Sequence, residues 1–202
     1  MKRQITGAMA LLVVGGLLAG GGVLAGDKEK KDDKKGFEVP PPGPEHKVLS
    51  KLTGTWEAKV KFYGPGGEGE SKGTMKRAMI MGGRFLKEDF TGDMMGMKFQ
   101  GMGVVGFDPA KKKYVSSWID NMSFGITTFE GTYDAEKKTL TSVGEDVWEG
   151  KKMKARDVLT IISDKEQKFE MFRSAGEKEF KVMDITYTKA PDKKKVKKEK
   201  GE

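Results

Sequence analysis

Side chains able to do chemistry are few in this chain, and the missing types decide as much as those present. Among 202 residues there is no cysteine and one histidine, His46. That removes thiol nucleophiles, iron–sulfur clusters, thiolate zinc sites and disulfide frameworks, together with most histidine dyads. Carboxylates remain. Glu88 with Asp120, or Glu130 with Asp184, would suit acid–base work of the kind glycosidases do. No spacing in the sequence certifies such a pair, and ion pairs to Arg77, Arg84 and Arg156 are the simpler expectation. Methionines raise a soft-metal reading (Met75, Met79, Met81, Met94, Met95, Met97, Met102, Met122), because thioethers suit Cu(I). Repeated Met-x-x-Met units with histidine nearby are missing, however, and methionine fills irregular cores without a metal. Gly64 to Gly69 lacks the Lys-Ser ending and following helix of a phosphate loop, so it reads as a hairpin connection. No metal, cofactor or catalytic residue is expected, and an enzyme is the less favoured class.

The elements that must position the remaining candidates are short. Turn signals recur at close intervals, among them Gly64-Pro65-Gly66-Gly67, Gly82-Gly83, Gly92-Asp93, Asp108-Pro109, Asp120-Asn121, Asp134-Ala135-Glu136 and Gly176-Glu177. Segments rich in Thr, Val, Ile and aromatic residues lie between them. That pattern predicts an all-β domain of about ten antiparallel strands in an up-and-down barrel, near 55–62, 70–80, 84–91, 97–107, 113–120, 123–133, 138–147, 152–162, 167–174 and 179–188. In the first strand Trp56, Ala58, Val60 and Phe62 alternate with Glu57, Lys59 and Lys61, giving one apolar and one charged face. Ahead of it, Val48, Leu49 and Leu52 stand at helical spacing and Gly54 stops the helix, so a short N-terminal helix is expected over 46–52 to plug one end.

Later strands alternate less cleanly. If Met75 and Met79 face inward, so does Arg77; Leu86 and Phe90 bring Glu88, Trp118 brings Asp120, and Phe124 and Ile126 bring Thr128 and Glu130. Val158 and Ile162 bring Arg156; Phe180 and Val182 bring Asp184. Charges inside a small barrel are costly unless they pair or line a hydrated ligand cavity. The expected lining is Trp56, Phe62, Arg77, Glu88, Trp118, Asp120, Glu130 and Arg156, around a small hydrophobic or amphipathic ligand.

The two ends of the chain read differently. Met1-Lys2-Arg3 precedes an uncharged stretch from Ile5 to Ala25 that closes on Val23-Leu24-Ala25, the layout of an export signal cleaved near Ala25. A periplasmic or extracellular location follows, with an uncleaved N-terminal membrane anchor as the alternative. Residues 26–45 are a charged and then Pro-rich spacer, 46–189 the barrel domain, and 190–202 a Lys-rich tail. The domain holds 25 basic against 21 acidic residues, so half of the net charge of +8 lies outside it. Acids and bases interleave throughout the domain, which argues against nucleic acid as a partner. The tails are suited to weak contact with anionic envelope surfaces.

Gly54-Thr55-Trp56, opening the first strand after a short helix, resembles the Gly-x-Trp start of lipocalin-like barrels. The longer succession is more specific: Leu49 to Trp56, Gly82-Gly83-Arg84-Phe85-Leu86, Met94-Met95-Gly96-Met97, Gly103 to Asp108, Tyr114 with Trp118-Ile119-Asp120, Gly131-Thr132-Tyr133-Asp134 and Phe180 to Tyr187. Over about 140 residues it resembles the bacterial domain of unknown function 1579 family, which is similar to calycin barrels. The resemblance implies a barrel fold and an export context, and no established reaction. In lipocalin-like barrels the equivalent tryptophan packs near a basic side chain of a late strand, which points to Arg156 or Arg173 over Trp56. The related haem-binding nitrobindin-like barrels ligate iron through a late histidine. Here His46 precedes the first strand, so that route is not expected. Two functions remain: a non-enzymatic exported barrel holding a small, partly apolar ligand, or a structural or interaction module of the envelope with a filled barrel.

Overall fold

Trp56, Ala58, Val60 and Phe62 are all buried while Glu57, Lys59 and Lys61 are exposed, so the first strand forms one wall of a core as its alternation requires. A computed structural model describes residues 39–191, apart from 65, 66, 95 and 149. The apolar stretch from Ile5 to Ala25, most of the spacer and the tail from residue 192 lie outside the described residues.

The chain begins with helix α1 (Pro44–Ser50) and continues through β1 (Gly54–Gly64), β2 (Gly67–Ile80), β3 (Phe85–Met94), β4 (Met97–Asp108) and β5 (Lys113–Asp120). It is completed by β6 (Thr127–Asp134), β7 (Thr139–Trp148), β8 (Lys151–Ser163), β9 (Glu166–Ala175) and β10 (Lys178–Lys189). Each strand pairs antiparallel with the next, and β10 pairs with β1 to close the barrel. Each strand of the closed barrel has a neighbour on both sides, which removes the long free edge and the aggregation hazard of an open sheet. The helix starts two residues earlier than expected, because Pro44 supplies a helical φ at its first position. Its Leu49, with Leu52 just beyond, packs on Leu86, Val105, Tyr114, Leu140 and Leu159 and stops one end of the barrel. The Tyr114 hydroxyl donates to the Glu45 carbonyl at 3.1 Å and ties the plug to β5. His46 is used at the helix start, where its Nδ1 accepts the Gly43 N–H at 3.0 Å.

Glycines inside strands account for much of the unusual composition. Trp118 on β5 lies across β4, and a Cβ at Gly101 would overlap its indole ring; one at Gly103 would stand 3.0 Å from Trp118 Cε3. The flat placement of Trp118 against the wall therefore depends on two side-chain-free positions opposite it.

Three expected strand faces are reversed. The segment before β6 is not strand: Phe124 and Ile126 project into solvent, and β6 turns Phe129 inward and Glu130 outward. In β8 the inward set is Ala155, Asp157 and Leu159, which puts Arg156 and Val158 outside. In β10 the pairing with β9 shifts between Lys181 and Met183, so Met183, Ile185 and Tyr187 face the core and Asp184 faces out. There the Tyr63 hydroxyl donates to Asp184 Oδ2 at 2.7 Å, a bond that, with some burial, pushes the phenol up to about 12.

Candidate functional site

The barrel holds a cavity of about 370 Å³ that reaches the plug cluster at Leu52, Val105, Tyr114, Leu140 and Leu159 and opens past Asp93 and Met122. Its walls are largely aliphatic and aromatic, with Val60, Phe62, Phe90, Trp118, Phe129 and Phe169 among them. That size and lining fall within the range of small-molecule pockets.

Two buried ionic groups stand in these walls. Arg77 and Glu88 are cross-strand partners on β2 and β3, and Arg77 Nε donates to Glu88 Oε1 at 2.6 Å. Arg77 Nη1 donates to Gln167 Oε1 at 2.8 Å, and the guanidinium lies 4.8 Å from the centre of the Tyr187 ring. Burial drives the Tyr187 phenol up to about 12. The second group spans three adjacent strands: Arg173 on β9 donates from Nη1 to Asp157 Oδ1 on β8 at 2.9 Å, and from Nη2 to Asp146 Oδ2 on β7 at 2.7 Å. Burial raises the Asp157 carboxyl from 3.8 to about 6 against the opposing pull of Arg173.

Of the expected lining residues, Phe62, Arg77, Glu88, Trp118 and Asp120 border the cavity. Trp118 Nε1 donates to Asp120 Oδ2 at 3.1 Å, and Asp120 Oδ1 accepts from the Met122 N–H. Trp56 belongs to the solid core beside the cavity, its Nε1 donating to the Leu52 carbonyl at 3.0 Å. The base over its ring is Lys189, 4.6 Å from the centre, and not Arg156 or Arg173. Glu130 and Arg156 are corrections. Glu130 is on the outer face, where Lys111 and Lys113 reach it at 2.6 and 2.9 Å and hold its carboxyl down to about 2. Arg156 stacks 4.1 Å from the centre of Phe172 and pairs with Glu179 outside the barrel. Glu130 and Asp184 are thus engaged on the exterior, and the acid–base pairing they suggested is not formed. Of the methionines singled out, Met75, Met94 and Met122 border the cavity, whereas Met81, Met97 and Met102 are exposed.

The Arg173, Asp157 and Asp146 group is what the sequence reading missed. Phe169, Met171 and Arg173 follow one another at the two-residue spacing of a single face of β9, so the signal for an inward Arg173 was present.

Asp157 makes stability depend on pH in an uncommon direction. Its folded value of about 6 exceeds the ordinary 3.8, so the folded state holds this proton more tightly than the unfolded chain. The group's contribution is therefore most favourable below the ordinary value and is lost as pH rises through the folded value. Glu130, Glu170 and Glu179, held below the usual carboxylate range, act oppositely and at lower pH. Asp157→Asn is expected to gain in thermal midpoint relative to the unaltered protein as pH goes from about 4 to about 7, because it lacks the titrating group. A difference that stays flat across that window would show that Asp157 titrates normally.

A closed antiparallel barrel with a helical plug at one end and a partly apolar cavity inside is a lipocalin-like β-barrel. Within that class the chain belongs to the family described as protein of unknown function (DUF1579), whose model matches residues 41–189. Among solved structures it is similar to Rv2717c from M. tuberculosis, with TM-score 0.58 and 12% identity over 74% of this chain and 99% of that one. It is also similar to the S-type phycobiliprotein lyase CPES from Guillardia theta, with TM-score 0.51 and 7% identity over 74% of this chain and 94% of that one. At these identities the likeness is one of fold. No curated protein matches the chain.

Proposed function

We propose that this protein is exported and binds a small, partly apolar molecule inside its barrel without transforming it. The observation that carries the reading is the cavity of about 370 Å³, bounded by aromatic walls and a few convergent charged groups. A filled barrel acting only as an envelope module would have no use for that space. A barrel of this fold also forms the structure of a phycobiliprotein lyase, a likeness that extends to architecture alone. Export rests on the basic start and apolar stretch of residues 1–25. Fractionation with mass measurement tests it: loss of those residues supports cleavage, and an intact chain in the membrane fraction would favour the anchor.

Binding is tested by thermal shift of the purified protein with a panel of lipids and aromatic acids. A ligand at about 100 times its Kd adds roughly 2.7 kcal/mol, which for a domain of this size is a rise of about 5 to 10 °C. No shift with any member, together with a filled interior in a crystal structure, would sink the reading.

A further inference from the structure

Seven charged side chains border the cavity, and no lysine is among them: Arg77 and Arg173 against Glu88, Asp93, Asp120, Asp146 and Asp157. Both cations are sealed. The Arg77 side chain is 3% exposed against 16% for Glu88, and Arg173 is 0% exposed against 24% for Asp146 and 10% for Asp157. In each group the guanidinium lies behind its carboxylates, so a molecule entering the barrel meets carboxylate oxygens and not guanidinium N–H groups. Two of those oxygens lack donors. Glu88 accepts from Arg77 through Oε1, and Asp157, more than nine-tenths buried, accepts from Arg173 through Oδ1. Glu88 Oε2 and Asp157 Oδ2 accept no hydrogen bond among the described residues. Asp120 and Asp93 add two further carboxylates, neither in an ion pair among the described residues.

Resting on the reading of the barrel as a ligand binder, we propose that its ligand is an apolar molecule with a cationic, hydrogen-bond-donating head, chemically an alkyl or aryl ammonium, and that carboxylates of the same body are turned away. An ammonium supplies N–H donors to the unfilled oxygens in charge-assisted bonds. The rings of Trp118, Phe90 and Phe99 offer it π faces along the wall. A carboxylate head meets like charge between largely apolar walls, with both guanidiniums already paired to carboxylates and the one unpartnered donor, Arg173 Nε, sealed from the cavity; that juxtaposition costs several kcal/mol. The chain's overall positive charge does not reverse this, because at physiological salt exposed charges are screened beyond about 8 Å and interior ones much less.

The test is displacement of the uncharged dye Nile red from the full chain at physiological salt by decylammonium, decanol and decanoate, which share one chain length. Decylammonium is expected to displace the dye at a concentration at least about tenfold below that of decanoate, with decanol between them. Glu88→Gln and Asp120→Asn should each shrink the ammonium-to-carboxylate ratio while leaving decanol nearly unchanged. Asp120→Asn keeps an acceptor for Trp118 Nε1 and gives up only the acceptor of the exposed Met122 N–H. Decanoate binding as well as or better than decylammonium, while decanol still displaces the dye, overturns the charge assignment alone. If the dye does not bind and decanol has no effect, the hollow-barrel reading falls and takes this inference with it.

Discussion

Replacing Arg173 with methionine is expected to cost about 3 to 5 kcal/mol of folding stability, the usual consequence of removing one partner from a buried ionic group. Its guanidinium is wholly buried and holds Asp157, Asp146 and the Phe172 carbonyl through Nη1 and Nη2. Methionine fills most of the volume, so the loss is electrostatic in origin and not a matter of packing. Two carboxylates would be left facing each other in the wall. Asp157 would then be pushed further above its already raised value, because Arg173 is what now pulls it down. The variant's deficit should therefore shrink as pH falls toward about 5, where Asp157 takes up its proton. Urea unfolding at about pH 5 and about pH 8 reads both effects. The double variant Arg173→Met with Asp157→Asn should recover much of the loss, since a neutralised group no longer carries an uncompensated charge. A single variant within about 1 kcal/mol of the unaltered protein at both pH values would show that the group is not electrostatically buried.

How far the architecture could be read from the residues depends on parity. Arg77, Glu88, Trp118 and Asp120 are legible as cavity residues because they share parity with the apolar pairs Met75 and Met79, Leu86 and Phe90, and Tyr114 and Trp118, which the barrel does turn inward. Arg156 failed because Val158 and Leu159 are both apolar, as are Ile161 and Ile162, so two registers bury equally greasy faces and only the barrel chooses between them. Glu130 failed for a different reason. Phe124 and Ile126 lie in the connection before β6, and counting them as strand fixed the wrong parity for everything after them. In β10 the register shift after Lys181 flips the face in mid-strand, which a strict alternation cannot register. The Arg173 group needed still more: Asp146, Asp157 and Arg173 meet only because neighbouring strands are staggered as the barrel closes, and that stagger is a property of the sheet and not of any one segment. Glycine content was legible as composition but not as placement. The reason Gly101 and Gly103 stand in a strand is the Trp118 ring, seventeen and fifteen residues away in the chain and adjacent across the sheet.

Trp56→Ala should be at least as damaging, at about 3 to 5 kcal/mol for the emptied volume and about 1 kcal/mol more for the lost hydrogen bond. The side chain is fully buried among β1, β2 and β10, and its Nε1 donates to the carbonyl of Leu52. That carbonyl belongs to the turn joining α1 to β1, so one indole fixes both the floor of the core and the chain that leads into the plug. Lys189 covers the outer face of the ring at 4.6 Å and donates from Nζ to the Thr53 carbonyl at 2.8 Å, which links the last strand to the same turn. Trp56→Phe separates the two contributions. It retains most of the apolar volume and the ring beneath Lys189 but has no N–H, so a loss of about 1 to 2 kcal/mol is expected. Since domains of this kind are stable by only about 5 to 15 kcal/mol, the alanine variant should unfold at a much lower urea concentration and lose protection of the amides in α1 first. If alanine and phenylalanine variants cost the same, the hydrogen bond to Leu52 carries the effect and the packing of Trp56 against the core does not. If α1 keeps its amide protection in the alanine variant, the plug is held by Leu49 and Leu52 alone, and the indole serves the barrel wall only.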